Sequence, residues 1–215
     1  MNKFELVLFD LDGTLIDTDK LIFMSYRHVF NKYRPDYKLT FEEVISFLGP
    51  TLMDTFKVYF PNENHDEMIE EYRKYTMEHH HKFVNAFSGA EQVMKELREL
   101  GVHIGIVTSK RRDVAMFGLQ EFNLDKYTEL MVDCNDVKNF KPHPEGINKA
   151  LDYFNIKPEN TLMVGDSKSD MLAGINAKCK VAAVNYSIKG EFYNELNVDY
   201  VINELNDIIK IVKGD

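Results

Sequence analysis

A regular alternation of short apolar runs with helical patterns constrains the fold of this chain more than any other feature. The apolar runs are rich in β-branched and aromatic residues and are too short for buried helices, so they predict strands. They lie at 4–9, 102–107, 161–164, 180–184 and 199–202. Because strands that alternate with helices of about 10–15 residues form βαβ units, the pattern predicts an α/β domain with a parallel sheet.

The helices between these runs carry recognisable boundary signals. Ser88 and Glu91 have the spacing of a capping box, which predicts Ser88 as the N-cap of a helix that ends at Gly101. The further predicted helices lie near 111–122, 145–154, 169–176 and 204–212. Most of them lie between two predicted strands, as a parallel sheet requires.

Residues 17–83 interrupt the alternation. They contain no clear strand and show helical patterns at 19–33, 41–48, 51–60 and 64–83. We therefore expect a helical domain at 17–83, inserted after the first strand of an α/β core domain. That core would comprise residues 1–16 and 84–215.

Charge and composition limit the classes of partner. The 26 Lys and Arg residues face 35 Asp and Glu residues, which gives a net charge of −9. Nucleic acids and anionic membranes are bound through an excess of basic residues, so neither is expected as the main partner. No run approaches the roughly 18 apolar residues of a membrane span. Acidic residues at 5, 10 and 12 interrupt the region of a signal peptide, so we expect a cytoplasmic protein.

Two acidic residues stand at the end of the first predicted strand. Asp10 and Asp12 are two positions apart, so on an extended chain their side chains point to the same side. Gly13 permits a sharp turn directly after them. Such a pair can supply a nucleophile or metal ligand together with a general acid/base. A solvated Asp-x-Asp-Gly turn is the alternative interpretation.

A second acidic pair follows the strand predicted at 161–164. Asp166 and Asp170 are four positions apart, so one helical turn would bring them to the same side. The carboxyl ends of parallel strands meet at one edge, where ligands bind in such sheets. Four converging carboxylates repel one another unless a cation lies among them, and a set of oxygen ligands favours Mg²⁺. The sequence therefore predicts Mg²⁺ at Asp10, Asp12, Asp166 and Asp170.

Hydroxyl and cationic side chains are also found at predicted strand ends. Thr108 and Ser109 end the second core strand, where hydroxyls and free N–H groups can hold phosphate oxygens. Lys110 follows directly and is a candidate for the distal phosphate of a substrate. Lys141 lies in a stiff, proline-containing loop and would face a dianionic substrate. Ordinary helix caps and a solvated lysine are the alternatives for these residues.

The order of these motifs is more specific than any one of them. Asp-Leu-Asp-Gly-Thr at 10–14, Thr-Ser at 108–109, Lys-Pro-His-Pro at 141–144 and Gly-Asp-Ser-Lys-Ser-Asp at 165–170 follow alternating strands. In this order the chain resembles the haloacid dehalogenase-like hydrolase superfamily over its whole length. The resemblance implies a Rossmann-like core and a helical cap domain at 17–83.

The resemblance also implies roles for the site residues. Asp10 would be the nucleophile that forms an aspartyl-phosphate, and Asp12 would protonate the leaving group and then activate water. Thr108 and Lys141 would bind and neutralise the transferring phosphoryl group. Aspartates at both 10 and 12 favour phosphoryl transfer over dehalogenation. The ligands implied for Mg²⁺ are Asp10, the Asp12 carbonyl, Asp166 and, directly or through water, Asp170.

Several further stretches resemble the inorganic pyrophosphatases of the PpaX type. These stretches lie at 16–18 with 21–22, 47–52 with 54–56, 105–110 with 112–113, 136–139 and 188–190. The resemblance implies hydrolysis of pyrophosphate to phosphate, with Gly49 and Thr51 of the cap as candidate substrate contacts. Closure of the cap would exclude water from the site.

Three other functions remain open at this stage. The phosphoglycolate phosphatases are close relatives that share most of these positions, so a phosphoglycolate or sugar-phosphate phosphatase is the nearest alternative. A phosphomutase similar to the β-phosphoglucomutases is the second. A non-catalytic binding protein is the third, although four clustered carboxylates are costly to keep without a use. In each case the expected partner is a small phosphorylated molecule, and a monomer is compatible with the sequence.

Overall fold

The computed structural model describes residues 2–48 and 51–214 and divides the chain into two compact units. The first unit comprises Met1–Asp17 and Asn85–Asp215, and the second comprises Thr18–Val84. Strands and helices alternate in the first unit, whereas the regular structure of the second is helical.

The strands of the described residues lie in the first unit. They are β1 (Leu6–Phe9), β2 (Ile16–Asp17), β3 (Asn85–Ala86), β4 (His103–Val107), β5 (Leu130–Val132), β6 (Thr161–Gly165), β7 (Lys180–Val184) and β8 (Tyr200–Ile202). Six of these strands form one sheet in the order β5-β4-β1-β6-β7-β8, and each neighbouring pair in it is parallel. The predicted α/β class with a parallel sheet is therefore confirmed. The remaining two, β2 and β3, form a short antiparallel pair.

The described helices are distributed over both units. Those of the second unit are α1 (Asp19–Tyr33), α2 (Phe41–Ser46), α3 (Leu52–Tyr59) and α4 (His65–Phe83). Those of the first unit are α5 (Ala90–Glu99), α6 (Arg112–Glu121), α7 (Glu145–Phe154), α8 (Lys168–Asn176) and α9 (Asp207–Lys213). None of the helices in 2–48 and 51–214 is long and apolar enough to cross a bilayer.

Strand β1 lies in the middle of the sheet, and its four residues are fully buried. A strand covered on both faces has no polar side to present, which explains the uninterrupted apolar run. Phe9, its last residue, pairs with Ile106 of β4 and with Val164 of β6. The residues that follow these three strands therefore emerge together at one edge of the sheet.

Two local features differ from the sequence-based expectations. The capping-box prediction for Ser88 is wrong, because Gly89 is the N-cap of α5 and lies at φ +84°, a left-handed conformation that glycine adopts without strain. Strand β5 was not predicted, because three residues are too few to show a periodicity. It forms through its pairing with β4, where Leu130 lies opposite Gly105.

The helical unit has an aromatic core of its own. Tyr26, Phe30, Phe47 and Phe56 are almost fully buried, and their rings pack mainly edge to face. Polar side chains begin three of the helices: Thr40, Thr51 and Asn64 accept backbone N–H groups at the starts of α2, α3 and α4. These caps satisfy donors that the first helical turn leaves without partners.

Candidate active site

Three chemically active side chains lie at the carboxyl edge of neighbouring strands. Asp10 follows β1, Thr108 follows β4 and Asp166 follows β6, and all three are buried. The backbone N–H of Asp10 donates to Val164 O at 2.9 Å, and that of Thr108 donates to Val132 O at 3.0 Å. The parallel ladder thus continues one residue beyond β1 and β4 and holds Asp10 and Thr108 in position.

Three carboxylates converge tightly enough to share one cation. Asp10, Asp166 and Asp170 each offer an oxygen, and these oxygens lie within 4.8 Å of one another. Asp170 reaches the cluster from the first turn of α8, where the Ser167 backbone N–H and hydroxyl donate to its Oδ2 at 3.0 and 2.6 Å. Buried, oxygen-only ligands at this spacing can hold a hard metal ion.

Lys141 enters the same cluster. Its ammonium group donates to Asp10 Oδ1 at 2.7 Å, to Asp170 Oδ1 at 2.5 Å and to Val107 O at 3.1 Å. All three donor positions of the amine are therefore used, and only 10% of the side chain is exposed. Lys141 is thus part of the carboxylate cluster, not a solvated loop lysine.

Asp12 occupies a different position from the other predicted metal ligands. Its side chain is one-quarter exposed, and its Oδ1 lies 2.5 Å from Lys110 Nζ. The backbone N–H of Lys110 also donates to Thr108 Oγ1 at 3.1 Å. Ser109 is exposed and lines a surface recess together with Thr108 and Lys141. The predicted acid/base and the predicted substrate-binding residues of the core unit therefore share this edge.

Two glycines are required by the close approach of carboxylates. Gly13 lies at φ +80°, and a Cβ atom there would lie 1.9 Å from Asp166 Oδ2. A Cβ atom on Gly165 would lie 2.4 Å from the Asp170 Cβ. Neither position tolerates a side chain without displacing a member of the acidic cluster.

Burial and like charges shift the protonation of the cluster. Burial raises the pKa of Asp10 to about 7 against the opposing effect of Lys141, and the carboxylates of Asp170 and Asp166 add to the rise. Burial likewise raises the pKa of Asp166. For Asp170, the charges of Lys141 and Lys189 and the hydrogen bonds from Lys141 and Ser167 together outweigh burial, so its pKa is lowered. The raised pKa values of Asp10 and Asp166 mean that their ionised forms lack counter-charge, and an added cation would favour those ionised forms.

One pair of side chains at this site was not assigned from the sequence. Ser187 Oγ donates to Asp166 Oδ2 at 2.7 Å, and Lys189 Nζ lies 2.8 Å from Asp166 Oδ1. Both belong to the segment after β7, which contributed only to the family resemblance at 188–190. A charged residue in a loop beyond a parallel strand was the signal available in the sequence.

The candidate contacts in the helical unit remain predictions. Thr51 is exposed and caps α3, where its hydroxyl donates to Asp54 Oδ2 at 2.7 Å. Gly49 lies outside the described residues.

Comparison with known proteins identifies the class of the chain. The family model described as "Haloacid dehalogenase-like hydrolase" matches residues 7–184, so the chain belongs to the haloacid dehalogenase-like hydrolases. The resemblance predicted from the motifs is therefore confirmed.

Individual relatives of the chain are described more specifically than the family. The chain is 42% identical to pyrophosphatase PpaX of Bacillus cereus, over 97% of this chain and 96% of that protein. It is 44% identical to pyrophosphatase PpaX of Halalkalibacterium halodurans, over 96% and 95%. A solved structure described as a predicted phosphoglycolate phosphatase from Haemophilus somnus has a TM-score of 0.86 at 22% identity, over 98% of this chain and 99% of that one. At that identity the likeness shows the fold alone.

Proposed function

We propose that this hydrolase cleaves inorganic pyrophosphate to phosphate through a phosphorylated Asp10, with Mg²⁺ as its metal. The observation that carries the proposal is the convergence of Asp10, Asp166, Asp170 and Lys141 at one edge of the sheet. The choice of pyrophosphate is supported by the two relatives named pyrophosphatase, which match almost the full length of the chain.

In the first proposed step, a carboxylate oxygen of Asp10 attacks one phosphorus atom of pyrophosphate. The bond from Asp10 to phosphorus forms while the bond from phosphorus to the bridging oxygen breaks. Asp12 donates its proton to that oxygen, so the leaving group departs as phosphate. Lys110, which pairs with Asp12 at 2.5 Å, lies where it can neutralise this leaving phosphate.

In the second step, Asp12 acts as the base. Its carboxylate takes a proton from water, the water oxygen attacks the phosphorus of the aspartyl-phosphate, and the bond to Asp10 breaks. Thr108 Oγ1 accepts the Lys110 N–H, which leaves its own hydroxyl hydrogen for a phosphoryl oxygen. Lys141 keeps a positive charge beside Asp10 throughout, because Asp10 and Asp170 raise its pKa against the effect of burial.

The residues present fit a divalent cation. Asp10, Asp166 and Asp170 would hold it through carboxylate oxygens, and the Asp12 carbonyl is the further proposed ligand. The cation would supply positive charge that favours ionised Asp10 and stabilises the charge of the transferring phosphoryl group. The same local charge explains how a chain of net charge −9 can take an anionic substrate.

Removal of divalent metal is expected to stop turnover. Without added positive charge, burial raises the pKa of Asp10 to about 7, so much of the nucleophile is protonated at neutral pH. The transferring phosphoryl group also loses the stabilisation of its charge, so we expect kcat to fall at least about 100-fold in excess chelator and to recover when Mg²⁺ is restored. The assay is phosphate release from pyrophosphate. Full activity in excess chelator would contradict the metal assignment.

A substrate panel tests the choice of pyrophosphate. We expect kcat/KM for pyrophosphate to exceed that for phosphoglycolate and for hexose phosphates by at least about tenfold, a difference of about 1.4 kcal/mol in transition-state binding. The measurement is phosphate release over a range of each substrate. An organic monoester that wins by the same margin would make the protein a monoester phosphatase with the same mechanism.

The phosphomutase alternative has its own signature in the same panel. Glucose 1-phosphate would be converted into an isomer without release of phosphate, which product analysis of the reaction mixture detects. Release of phosphate without an isomer instead supports a hydrolase.

A further inference from the structure

The proposed mechanism assigns no role to one partly buried lysine, Lys189. The Lys189 ammonium lies 2.8 Å from Asp166 Oδ1, and its side chain is 21% exposed. Lys189 belongs to the segment between β7 and the short 3-10 helix Phe192–Glu195. No step described above uses it, although it contacts a residue proposed to hold the metal.

The contacts of Asp166 show why this lysine matters. Oδ1 of the carboxylate accepts from Lys189, and Oδ2 accepts from the Ser187 hydroxyl at 2.7 Å. Asp166 is fully buried, so its charge must be balanced from within the protein. Both oxygens therefore already have partners, and one of these partners carries the same sign of charge as a metal ion.

The two lysines of the cluster are held differently. Lys141 donates to two carboxylates and one backbone carbonyl. The Lys189 ammonium donates a hydrogen bond to Asp166 and to no other residue within 2–48 and 51–214. Moving the Lys189 amine therefore breaks fewer contacts, and a long flexible side chain permits that movement at low cost.

The backbone beside Lys189 is anchored independently of its amine. The Tyr186 hydroxyl donates to Thr14 O at 2.8 Å, and the Tyr186 ring packs against Phe87 at 4.7 Å. Both contacts lie within the first unit. The segment can therefore keep its place when the ammonium group leaves Asp166.

We propose that Lys189 is an internal counter-ion of Asp166 that competes with the divalent cation and thereby sets the metal affinity of the site. The inference rests on the metal site of the proposed function. In the metal-free protein, the Lys189 ammonium pairs with the buried carboxylate and holds it in place. When a metal ion binds Asp166, repulsion between the two cations moves the amine away. Lys189 is thus a positioning residue that keeps the site ready for metal and limits how tightly metal is held.

Metal binding measured without substrate tests this role. Titration calorimetry with Mg²⁺ alone at pH 8 compares the wild type with Lys189→Met. The variant lacks the competing charge, so we expect its Kd to be at least about tenfold lower. Its metal-free form should melt at a lower temperature, because Asp166 has lost its counter-ion, and Mg²⁺ should raise its Tm more than that of the wild type.

Three further variants separate charge competition from a structural effect. Lys189→Arg keeps the charge, so its Kd should stay within about threefold of the wild type. Lys168→Met removes an exposed lysine of the neighbouring helix α8, which pairs with Glu195 at 3.2 Å, and controls for net charge; we expect a change below about threefold. Lys189→Gln, which retains a hydrogen-bond donor, replaces the Met variant if that one does not fold without metal.

The outcomes are distinct. An unchanged or higher Kd for Lys189→Met and Lys189→Gln would overturn the competition, and a higher KM for pyrophosphate with unchanged metal affinity would make Lys189 a substrate-binding residue instead. If no variant and no wild-type protein binds Mg²⁺, the proposed metal site itself fails. Tighter binding in the Met variant together with wild-type affinity in the Arg variant supports the proposal.

Discussion

Replacement of Asp10 by asparagine is expected to lower kcat for pyrophosphate by about 10⁴-fold or more, the range seen when a covalent nucleophile is removed. An amide oxygen is a poor nucleophile. The other carboxylate after β1, that of Asp12, has the separate role of acid and base in the proposed mechanism. Asp152→Asn is the matched control, because Asp152 is exposed on helix α7 of the same unit. Single-turnover phosphate release measures the effect. A kcat within about tenfold of the wild type would show that Asp10 is not the nucleophile.

The same variant separates loss of chemistry from loss of fold. Burial raises the pKa of Asp10 to about 7 in the folded, metal-free protein. An acid whose pKa is raised by folding costs stability once the pH exceeds its ordinary value near 4, and the full cost is present above pH 7. A rise of about three pKa units costs at most about 4 kcal/mol, and this rise is already the net result of burial and of the opposing charge of Lys141.

We therefore expect metal-free Asp10→Asn to be more stable than the wild type at pH 8, by at most about 4 kcal/mol. This difference should shrink as the pH falls toward 4, because Asp10 of the wild type then takes up its proton. Denaturant unfolding at several pH values measures it. An inactive variant that is at least as stable as the wild type at pH 8 has lost its nucleophile and kept its fold.

Replacement of Asp12 by alanine is expected to lower kcat for pyrophosphate by about 10²- to 10⁴-fold, which is the usual contribution of a general acid/base. Both steps slow, because the leaving phosphate lacks its proton donor and the attacking water lacks its base. Asp10 is untouched in this variant, so the aspartyl-phosphate can still form wherever the leaving group needs no proton.

A substrate with a good leaving group makes that intermediate visible. With p-nitrophenyl phosphate, Asp12→Ala should release about one nitrophenolate per active site in a burst and then turn over slowly. Intact-mass analysis of the quenched protein should show one added phosphoryl group, which is absent when Asp10 is also replaced by asparagine.

Asp12→Asn serves as the control for the pairing with Lys110, whose ammonium lies 2.5 Å from Asp12 Oδ1. It keeps a hydrogen-bond acceptor for that ammonium and lacks only the ionisable group. A wild-type rate in both Asp12 variants would remove Asp12 from the mechanism.

The sequence alone predicted five of the six strands of the parallel sheet and the residues that follow them. Strands that are buried on both faces are largely apolar, so β1, β4 and β6 were recognisable as short, mainly apolar runs. The first polar residue after such a run lies at the carboxyl edge of the sheet by local geometry alone. The positions of Asp10, Thr108 and Asp166 at that edge could therefore be predicted without information on distant contacts. The order of the motifs then indicated the family.

Only the tertiary structure decided which groups share a charge. Four acidic residues are predicted around one metal ion, and the family resemblance implies that Asp12 contributes its carbonyl. In the structure, the Asp12 side chain pairs with Lys110, and Lys141 joins Asp10 to Asp170. Lys189 reaches Asp166 from 23 positions further along the chain. The periodicity of a sequence shows which side chains are buried and to which side they point, because both properties repeat along a helix or a strand. The partner of a long charged side chain depends on which distant segments fold beside it and on the cost of burying an unbalanced charge. The residues next to it in the sequence carry no information about either factor.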